Sequence, residues 1–293
     1  MEIGVIKYNY TMKKIGIIAK RGVSSSVEAV RKVLSLIDKT KFRVFIEDHA
    51  ASALKLKGFP REQIPSKADL IIVFGGDGTL LNVARLVGKK GIPILGVNLG
   101  TLGFITEGTI DEINKEAIDR ILSGKYRFEE RIVLLADVFR KGKKILQHTA
   151  LNDVVINKSA LARMIQLEIY INKQYATVFR ADGLIISTPT GSTAHSLSAG
   201  GPILYPTLET FLMTPICPHS LTNRPLVLPD KFTMEISVKK GRGVYLTLDG
   251  QEGVPLKVGD MIEIKKADFK TKFFLLHKRD YFNILRTKLK WGE

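Results

Sequence analysis

The sequence predicts a two-domain protein in which an α/β domain is followed by a mainly β domain. Over residues 1–125, near-continuous apolar strands alternate with amphipathic helices, which is typical of a parallel, Rossmann-like sheet covered on both faces. Over residues 126–267, short β-rich runs are separated by turn signals, which indicates a β-sandwich-like domain. We expect the tail, residues 268–293, to return to the α/β domain, because apolar and aromatic residues interleave its basic ones.

The first domain is expected to contain four strands and three helices. A Ser25-Ser26-Val27-Glu28 segment has the pattern of a capping box, and it precedes apolar residues at helical spacing. The first eleven residues read as an extension before the first strand. The predicted strands are residues 13–19, 42–47, 70–74 and 93–97, and the predicted helices are residues 27–37, 79–87 and 110–123.

The second domain is expected to contain many short strands and one helical insertion, at residues 193–199. Asn172-Lys173, Lys240-Gly241 and Asp249-Gly250 are among the turn signals that separate the strands. The predicted strands are residues 131–139, 144–150, 153–157, 165–171, 174–179, 184–187, 232–238, 243–248 and 261–265.

Composition restricts the class of protein. The 293 residues carry a net charge of +16, which suits an anionic partner such as nucleic acid, a membrane surface or a phosphate-rich small molecule. No recognised nucleic-acid-binding motif accompanies the charge, so we expect no nucleic-acid partner. The apolar runs are too short to span a bilayer and no secretion signal opens the chain, so we expect a cytoplasmic protein without a membrane partner. Cys217 is the single cysteine, and the histidines lack ligand spacing, so we expect no protein-bound metal.

The segment Gly75-Gly76-Asp77-Gly78-Thr79 lies where a parallel strand ends and a helix begins. Glycines at such a point let backbone N–H groups approach a phosphate, and the helix N-terminus adds positive potential. The alternative is that Asp77 only caps the helix. The spacing fits neither a Walker A loop nor a Rossmann fingerprint, which needs glycine or alanine where Leu81 stands. We therefore expect a phosphate-facing site in which Asp77 is a ligand or a base.

Further segments suit a polyhydroxylated phosphate ester. Residues 188–196 (TPTGSTAHS) combine five hydroxyl side chains with His195, and they follow the Arg180-Ala181-Asp182-Gly183 segment. A serine-nucleophile elbow is disfavoured, because its second glycine is missing. The glycine-rich residues 96–104, Asn152-Asp153 and Asp249-Gly250-Gln251 fit either a ligand site or ordinary turns.

Taken together and in this order, the segments resemble the NAD kinase family. Gly-Gly-Asp-Gly-Thr alone is shared with lipid kinases and phosphofructokinases, but the long Thr-Pro-Thr-Gly-Ser-Thr-Ala segment makes the resemblance specific. The match spans residues 74–251 and rests on FGGDGTLL (74–81), GVNLGTLGF (96–104), LNDVVI (151–156), DGLIISTPTGSTAHSLSAGGPI (182–203), PHSLTNRPLV (218–227) and LDGQ (248–251).

The resemblance implies ATP-dependent phosphorylation of the adenosine-ribose 2′-hydroxyl of NAD, which gives NADP. It implies NAD and either ATP or polyphosphate as substrates, Mg²⁺ carried with ATP, and a homodimer or homotetramer. Two other readings remain open. One is another GGDGT-type kinase acting on a lipid or sugar phosphate, and the other is a non-catalytic protein that binds a dinucleotide or nucleic acid.

The resemblance also implies site residues, with Asp77 as the acid that orients the hydroxyl and accepts its proton. Two positions depart from the family pattern, because Asp153 stands where glutamate is usual and His195 where tyrosine is common. Both departures affect fine ligand geometry. The implied nucleotide-binding residues are Gly75, Gly76, Gly78, Thr79, Asn152, Asp153, Arg163, Arg180, Asp182, Thr193, Ala194, His195, Ser196, Leu197, Ser198 and Gln251.

Overall fold

The computed structural model describes residues 5–9, 12–100, 103–122, 125–160, 162–220, 222–276 and 280–290. Thr101 and Leu102 of the second glycine-rich loop, Leu221 of the PHSLTNRPLV segment and the ends of the chain lie outside these ranges. The chain forms two compact units, of which the first contains Met1–Glu130 and Thr271–Glu293 and the second contains Arg131–Lys270. The domain limits predicted at residues 125 and 267 stay predictions. Within the described ranges, no helix combines the length and apolarity needed to cross a bilayer.

The first unit is built on a parallel sheet. Its strands are β1 (Val5–Asn9), β2 (Lys14–Ala19), β3 (Arg43–Ile46), β4 (Leu70–Phe74), β5 (Ile94–Asn98) and β6 (Gly108–Thr109). Its helices up to this point of the chain are α1 (Ser24–Leu36), α2 (Asp48–Ala53), α3 (Ile64–Lys67), α4 (Asp77–Val87) and α5 (Lys115–Leu122). Four of these strands have the order β5-β4-β2-β3 and are all parallel, with β3 at the end of the order.

The core of this unit explains why its strands read as unbroken apolar runs. Every residue of β4 is at most 1% exposed, because helices cover both faces of the sheet. Such side chains each stabilise the fold by about 1.5–3 kcal/mol on burial. The chain leaves β2 towards β3 on one side and later returns through β4 on the other. The carboxyl ends of β2 and β4 therefore flank a topological switch point, where ligand-binding loops of open α/β sheets lie.

Two local predictions in this unit are wrong. Helix α1 begins at Ser24 with Val23 at the N-cap and without a side-chain cap, so the capping box does not form. The hydroxyl of Ser26 instead donates to the carbonyl of Val23 at 2.6 Å, a local bond that serine readily makes. The predicted helix 110–123 is divided, because Asn114 caps a new helical start by accepting the N–H of Ala117 at 2.8 Å. Within the stretch interpreted as an N-terminal extension, the described residues Val5–Asn9 form β1, which pairs with β7.

The second unit is mainly antiparallel β. Its strands are β7 (Lys125–Arg140), β8 (Lys143–Ala150), β9 (Asp153–Lys158), β10 (Ile165–Ile171), β11 (Gln174–Ala181), β12 (Gly183–Ser187), β13 (Thr210–Ile216), β14 (Leu226–Pro229), β15 (Met234–Lys240), β16 (Val244–Leu248), β17 (Glu252–Leu256) and β18 (Met261–Leu275). One sheet has the order β14-β13-β12-β9-β16-β17, and β11-β10-β15-β18 are neighbours in the other. Alternating side chains of both sheets form one buried apolar cluster, which confirms the predicted fold class.

Strands β7 and β18 begin or end in the first unit. The first residues of β7 pair with β1 in antiparallel fashion, and Phe273 of β18 pairs with Ile94 of β5 in parallel fashion. Helix α7 (Tyr281–Leu289) follows β18 and also belongs to the first unit. Its Tyr281, Ile284 and Leu285 are buried, so the tail supplies apolar side chains as its composition indicated.

Several elements of the second unit differ from those predicted. The sequence analysis missed β13, β14 and β17, each of which contains a proline, a residue that argues against a strand in a sequence pattern. The expected helix 193–199 is shorter, because a 3₁₀ turn occupies Thr190–Thr193 and helix α6 spans only His195–Ser198. Strand β18 continues ten residues beyond its predicted end at 265.

Candidate active site

The Asp77 carboxylate is held by backbone N–H groups of the second glycine-rich loop. Asp77 is the first residue of α4, and Gly76 occupies the N-cap position without a side-chain cap bond. The carboxylate instead accepts the N–H groups of Phe104, Ile105 and Thr106, at 2.9, 3.2 and 3.3 Å. The alternative that Asp77 merely caps its own helix is therefore wrong. Its side chain is fixed from outside the helix, at the carboxyl edge of the parallel sheet.

Gly103 makes this arrangement possible. A Cβ atom at Gly103 would overlap the Asp77 carboxylate. The loop is held in turn by Thr106, whose hydroxyl accepts the N–H of Gly103 at 2.8 Å and whose side chain is buried. The glycine pattern of this loop, which the sequence left open between ligand contact and ordinary turn, thus has a structural reason that involves Asp77.

The glycines around Asp77 differ in their surroundings. A Cβ atom at Gly75 would lie 2.6 Å from the Thr79 hydroxyl, so this glycine allows the helix to start close to the strand. Among the described residues, no atom beyond the local backbone lies within 4 Å of the corresponding positions at Gly76 and Gly78. These two residues therefore border open space, where a ligand can approach the backbone.

In the second unit, Leu151 and Asn152 form the turn between β8 and β9, and Asp153 is the first residue of β9. The carboxylate of Asp249 accepts three successive N–H groups there, from Leu151 at 3.0 Å, Asn152 at 2.7 Å and Asp153 at 3.1 Å. The N–H of Asp249 donates back to the carbonyl of Asp153 at 3.0 Å. Sequence reasoning missed this role of Asp249; its only signal was an Asp-Gly turn, and Asp249 has the left-handed backbone (φ +50°) that such turns favour.

The Asp153 cleft, a cavity of about 290 Å³, opens beside this turn. Asn152 Oδ1 is buried and makes no hydrogen bond to any part of the chain that the structure describes. Asp153 is only 4% exposed, and burial, together with the nearby charge of Asp249, raises the pKa of its carboxyl to about 7. The cleft therefore offers desolvated acceptor groups that a hydroxyl-bearing ligand would satisfy. Its lining residues are Asn152, Asp153, Val155, Asn157, Ala194, His195, Thr247, Asp249 and Gly250.

Most hydroxyls of the residue 188–196 segment serve the fold rather than open space. The Ser192 hydroxyl accepts the N–H of Leu204 at 3.0 Å, and Ser196, fully buried, bonds to Thr214 at 2.8 Å. The side chain of Thr193 donates to the Thr190 carbonyl at 3.4 Å. Of the predicted binding loop, only Ala194 and His195 line the Asp153 cleft, whereas the remaining four lie outside its lining: Thr193, Ser196, Leu197 and Ser198.

Arg163, Arg180 and Asp182 lie together in a second cavity of about 640 Å³, the Arg163 cleft. Lys158 and Lys240 line it as well, and Lys158 approaches Asp182 at 3.6 Å. Among the described residues, no hydrogen bond or ion pair engages the side chains of the two arginines. The cleft thus carries four cationic side chains and one carboxylate, which favours an anionic ligand. Gln251 lines neither cavity, and its backbone N–H bonds to the carbonyl of Leu248 at 2.9 Å.

Comparison with known proteins places both halves of the chain in one family. The N-terminal domain of ATP-NAD kinase matches residues 15–126, and its C-terminal domain matches residues 151–276. The NAD kinase of Geobacter metallireducens is 48% identical over 283 residues, which cover 96% of this chain and 100% of the relative. That of Geobacter sulfurreducens is 49% identical over 290 residues, with the same coverage.

Solved structures agree with the sequence relatives. Yeast NADH kinase complexed with NADH has a TM-score of 0.90 and 28% identity, with 97% of this chain and 89% of that chain covered. An NAD kinase from Archaeoglobus fulgidus in complex with ATP has a TM-score of 0.73 and 23% identity, with 94% and 98% covered, and it shares the fold. With both domains matched and relatives similar along the full length, the chain belongs to the NAD kinase family.

Proposed function

We propose that this protein transfers the terminal phosphoryl group of ATP to the 2′-hydroxyl of the adenosine ribose of NAD, which gives NADP. The observation that carries the proposal is the Asp77 carboxylate, held by three backbone N–H groups at the end of a parallel strand in a chain of the NAD kinase family. The yeast relative acts on NADH, so NADH is a second candidate acceptor.

Asp77 acts on the acceptor hydroxyl. Phosphoryl transfer passes through a loose transition state, so it depends on alignment and charge neutralisation more than on covalent chemistry. A carboxylate has about four acceptor positions, and the amides of residues 104–106 occupy three. The remaining position is available to a single hydroxyl, which Asp77 orients and whose proton it accepts as the new bond forms. Gly76 and Gly78 leave room for phosphates beside it.

The second unit binds the dinucleotide. In the Asp153 cleft, Asn152 Oδ1 and the Asp153 carboxyl accept hydrogen bonds from nucleotide hydroxyls, while Ala194 and His195 border the same space. In the Arg163 cleft, Arg163 and Arg180 attract phosphate oxygens. Of the other predicted binding residues of this unit, Thr193 and Ser196 use their hydroxyls in bonds within the fold.

Magnesium enters with the donor. The described residues contain no group of three or more His, Cys, Asp or Glu side chains that would hold a metal ion. The side chains present therefore fit a Mg²⁺ ion that would be held mainly by the phosphate oxygens of ATP, since Mg²⁺ usually binds substrate phosphates rather than a cage of protein ligands. Bound in this way, the ion neutralises phosphate charge, while the chain's own residues align the acceptor.

An acceptor comparison tests the proposal. Purified protein with ATP and Mg²⁺ receives NAD, NADH, diacylglycerol or a sugar phosphate, and each product is quantified. We expect NADP from NAD, and a preference for NADH would select the second candidate. In the Asp77→Asn variant, we expect turnover to fall by about two orders of magnitude or more while NAD still binds, because an amide keeps the size but cannot take the proton. Phosphorylation of the lipid or sugar phosphate alone, or an Asp77→Asn variant as active as the parent, contradicts the proposal.

A further inference from the structure

Asp249 makes four hydrogen bonds to the backbone of residues 151–153, around the Asn152-Asp153 pair. Its carboxylate accepts the N–H groups of Leu151, Asn152 and Asp153, and its own N–H returns a bond to Asp153. We propose that Asp249 is a positioning residue, which fixes the Asn152-Asp153 pair in the geometry that binds the nucleotide hydroxyls. The inference rests on the proposed function and adds a residue to its binding apparatus.

The bonds are of the kind that fixes geometry. Three successive N–H groups converge on one carboxylate only when the backbone curls around it, and charge-assisted bonds of this type are stronger than neutral ones. Asp249 lies almost a hundred residues further along the chain, directly after β16, whose residues pair with β9. The turn that precedes β9 is therefore tied to the end of the neighbouring strand β16.

The other backbone groups of Asn152 are also engaged. Its carbonyl accepts the N–H of Thr188 at 2.9 Å and the hydroxyl of Ser187 at 3.1 Å. With the amide held by Asp249 and the carbonyl held by the next strand's end, the peptide cannot rotate without breaking several bonds. The buried side-chain oxygen of Asn152, in contrast, has no hydrogen-bond partner among the described residues. That oxygen is preorganised for a ligand, which lowers the ordering cost of binding.

Asp249 also sets the electrostatics of the Asp153 cleft. The titratable side chains that line the cleft are Asp153, Asp249 and His195. Burial, and after it the negative charge of Asp249, raises the pKa of Asp153 to about 7. Removal of the Asp249 charge will therefore lower the pKa of Asp153, and a pH profile that depends on Asp153 will move to lower pH.

The test uses Asp249→Asn with a matched control. Asparagine has the same shape and tolerates the left-handed backbone of residue 249, but it replaces one acceptor oxygen by an N–H₂ donor. The control is Asp260→Asn in the same unit. Asp260 is also buried and also holds a turn, where it accepts the N–H of Lys257 at 2.8 Å, but it does not line either cleft.

Kinetics and hydrogen exchange are measured on the parent and both variants. For Asp249→Asn we expect the KM for NAD to rise by about 10- to 100-fold, the size of effect that misplaced binding groups produce. The acidic limb of its kcat/KM profile should move to lower pH, and the amides of residues 151–153 should exchange faster. Asp260→Asn should lose thermal stability but keep the parent's KM, pH profile and exchange at those amides.

Two results overturn the inference. One is an Asp249→Asn variant with the parent's KM, pH profile and exchange, and the other is an equal change in KM and pH profile in Asp260→Asn. Failure of the proposed function is separately visible, because the parent itself then forms no NADP. In that event, calorimetric titration of NAD into the three proteins decides the inference: binding weakened only in Asp249→Asn supports it, and equal binding by all three proteins contradicts it.

Discussion

Gly103 leaves free the space that the Asp77 carboxylate occupies. A Cβ atom at Gly103 would overlap this carboxylate, whose oxygens accept the three N–H groups that follow Gly103 in the chain. The loops after β4 and β5 are therefore interdependent: one supplies the acid, and the other supplies both the amides that hold it and the gap that admits it. In the sequence the two glycine-rich segments look like separate ligand loops, but in the structure the second loop holds the carboxylate of the first.

Gly103→Ala should lower the kcat for NADP formation by displacing the Asp77 carboxylate. The methyl group must push the carboxylate out of its three bonds, and a shift of about 1 Å at a reacting group can cost about 100-fold in rate. We expect kcat for NADP formation to fall by about that factor, measured with saturating NAD and ATP. Gly100→Ala is the matched control, because its added Cβ meets no atom of the residues that the structure describes within 4 Å. Equal rates in the two variants would show that the overlap is relieved without moving Asp77.

These two loops show that local features could be predicted from the sequence, whereas contacts between distant segments could not. The run of five buried residues in β4, followed by glycines and α4, was readable because each signal is local in the chain. The bond between Asp77 and residues 104–106 spans a loop, a strand and a helix, so no local pattern contains it. The sequence pattern indicated that Asp77 lies between a strand and a helix, but it did not indicate what holds its carboxylate in place.

The second unit gives the same lesson for polar side chains. A segment rich in hydroxyls predicted ligand contacts, but Ser192 and Ser196 use their hydroxyls within the fold. Composition reveals how many donors and acceptors a segment has, while burial and partners decide which of them remain for a ligand. The same holds for Asp153, since the raised pKa of its carboxyl comes from burial and from Asp249, which is distant in sequence.

Gly191→Ala should weaken NAD binding and lower thermal stability. An added Cβ at residue 191 would overlap the backbone carbonyl of Asn152. Because the overlap involves the backbone, no side-chain rotation can relieve it. Forced overpacking of this kind costs about 1–3 kcal/mol, and the displaced turn would misplace Asn152 and Asp153. Thermal unfolding and the KM for NAD measure the two effects. The added Cβ of Gly253→Ala meets no atom within 4 Å in the described part of the chain, so this variant is expected to retain both values. A similar loss in Gly253→Ala would refute the explanation.

Arg180→Ala should raise the KM for NAD and reduce its dependence on salt. Arg180 lines the Arg163 cleft, where several cationic side chains face one carboxylate. Loss of one cation removes attraction to phosphate oxygens, and that attraction is screened by salt. Initial rates over a range of NAD and KCl concentrations provide the measurement. Arg242→Ala removes another exposed cation, one that does not line the cleft, so this control should behave like the parent. An identical response of both variants would mean that only net charge matters.

Asp153→Asn should remove a pH-dependent contribution to stability that the parent loses as pH rises. The pKa of Asp153 is about 7 in the folded protein, above its ordinary value of 3.8. The folded state therefore holds this proton longer than the unfolded state does, and the associated stability is present at low pH and lost as pH rises towards 7. Urea unfolding gives the free energy of unfolding of both proteins. The value for the parent minus that for the variant should be smaller at about pH 8 than at about pH 4.5. A constant difference between the two proteins at both values would contradict the raised pKa.

Asp260→Asn should show the opposite dependence on pH. Arg140 donates to both carboxylate oxygens of Asp260, at 2.9 and 2.7 Å, and these bonds lower the pKa of Asp260 below its ordinary value of 3.8. A depressed pKa means that the stabilising contribution is complete above the unfolded value and is lost as pH falls through the folded one. The parent's advantage in free energy of unfolding over Asp260→Asn should thus be largest near neutral pH and shrink in acid. Because Asp153→Asn is predicted to change in the other direction, urea unfolding of the two variants under the same conditions gives an internal control. An advantage over Asp260→Asn that persists unchanged to about pH 3 would assign the effect to shape rather than to the charge of the carboxylate.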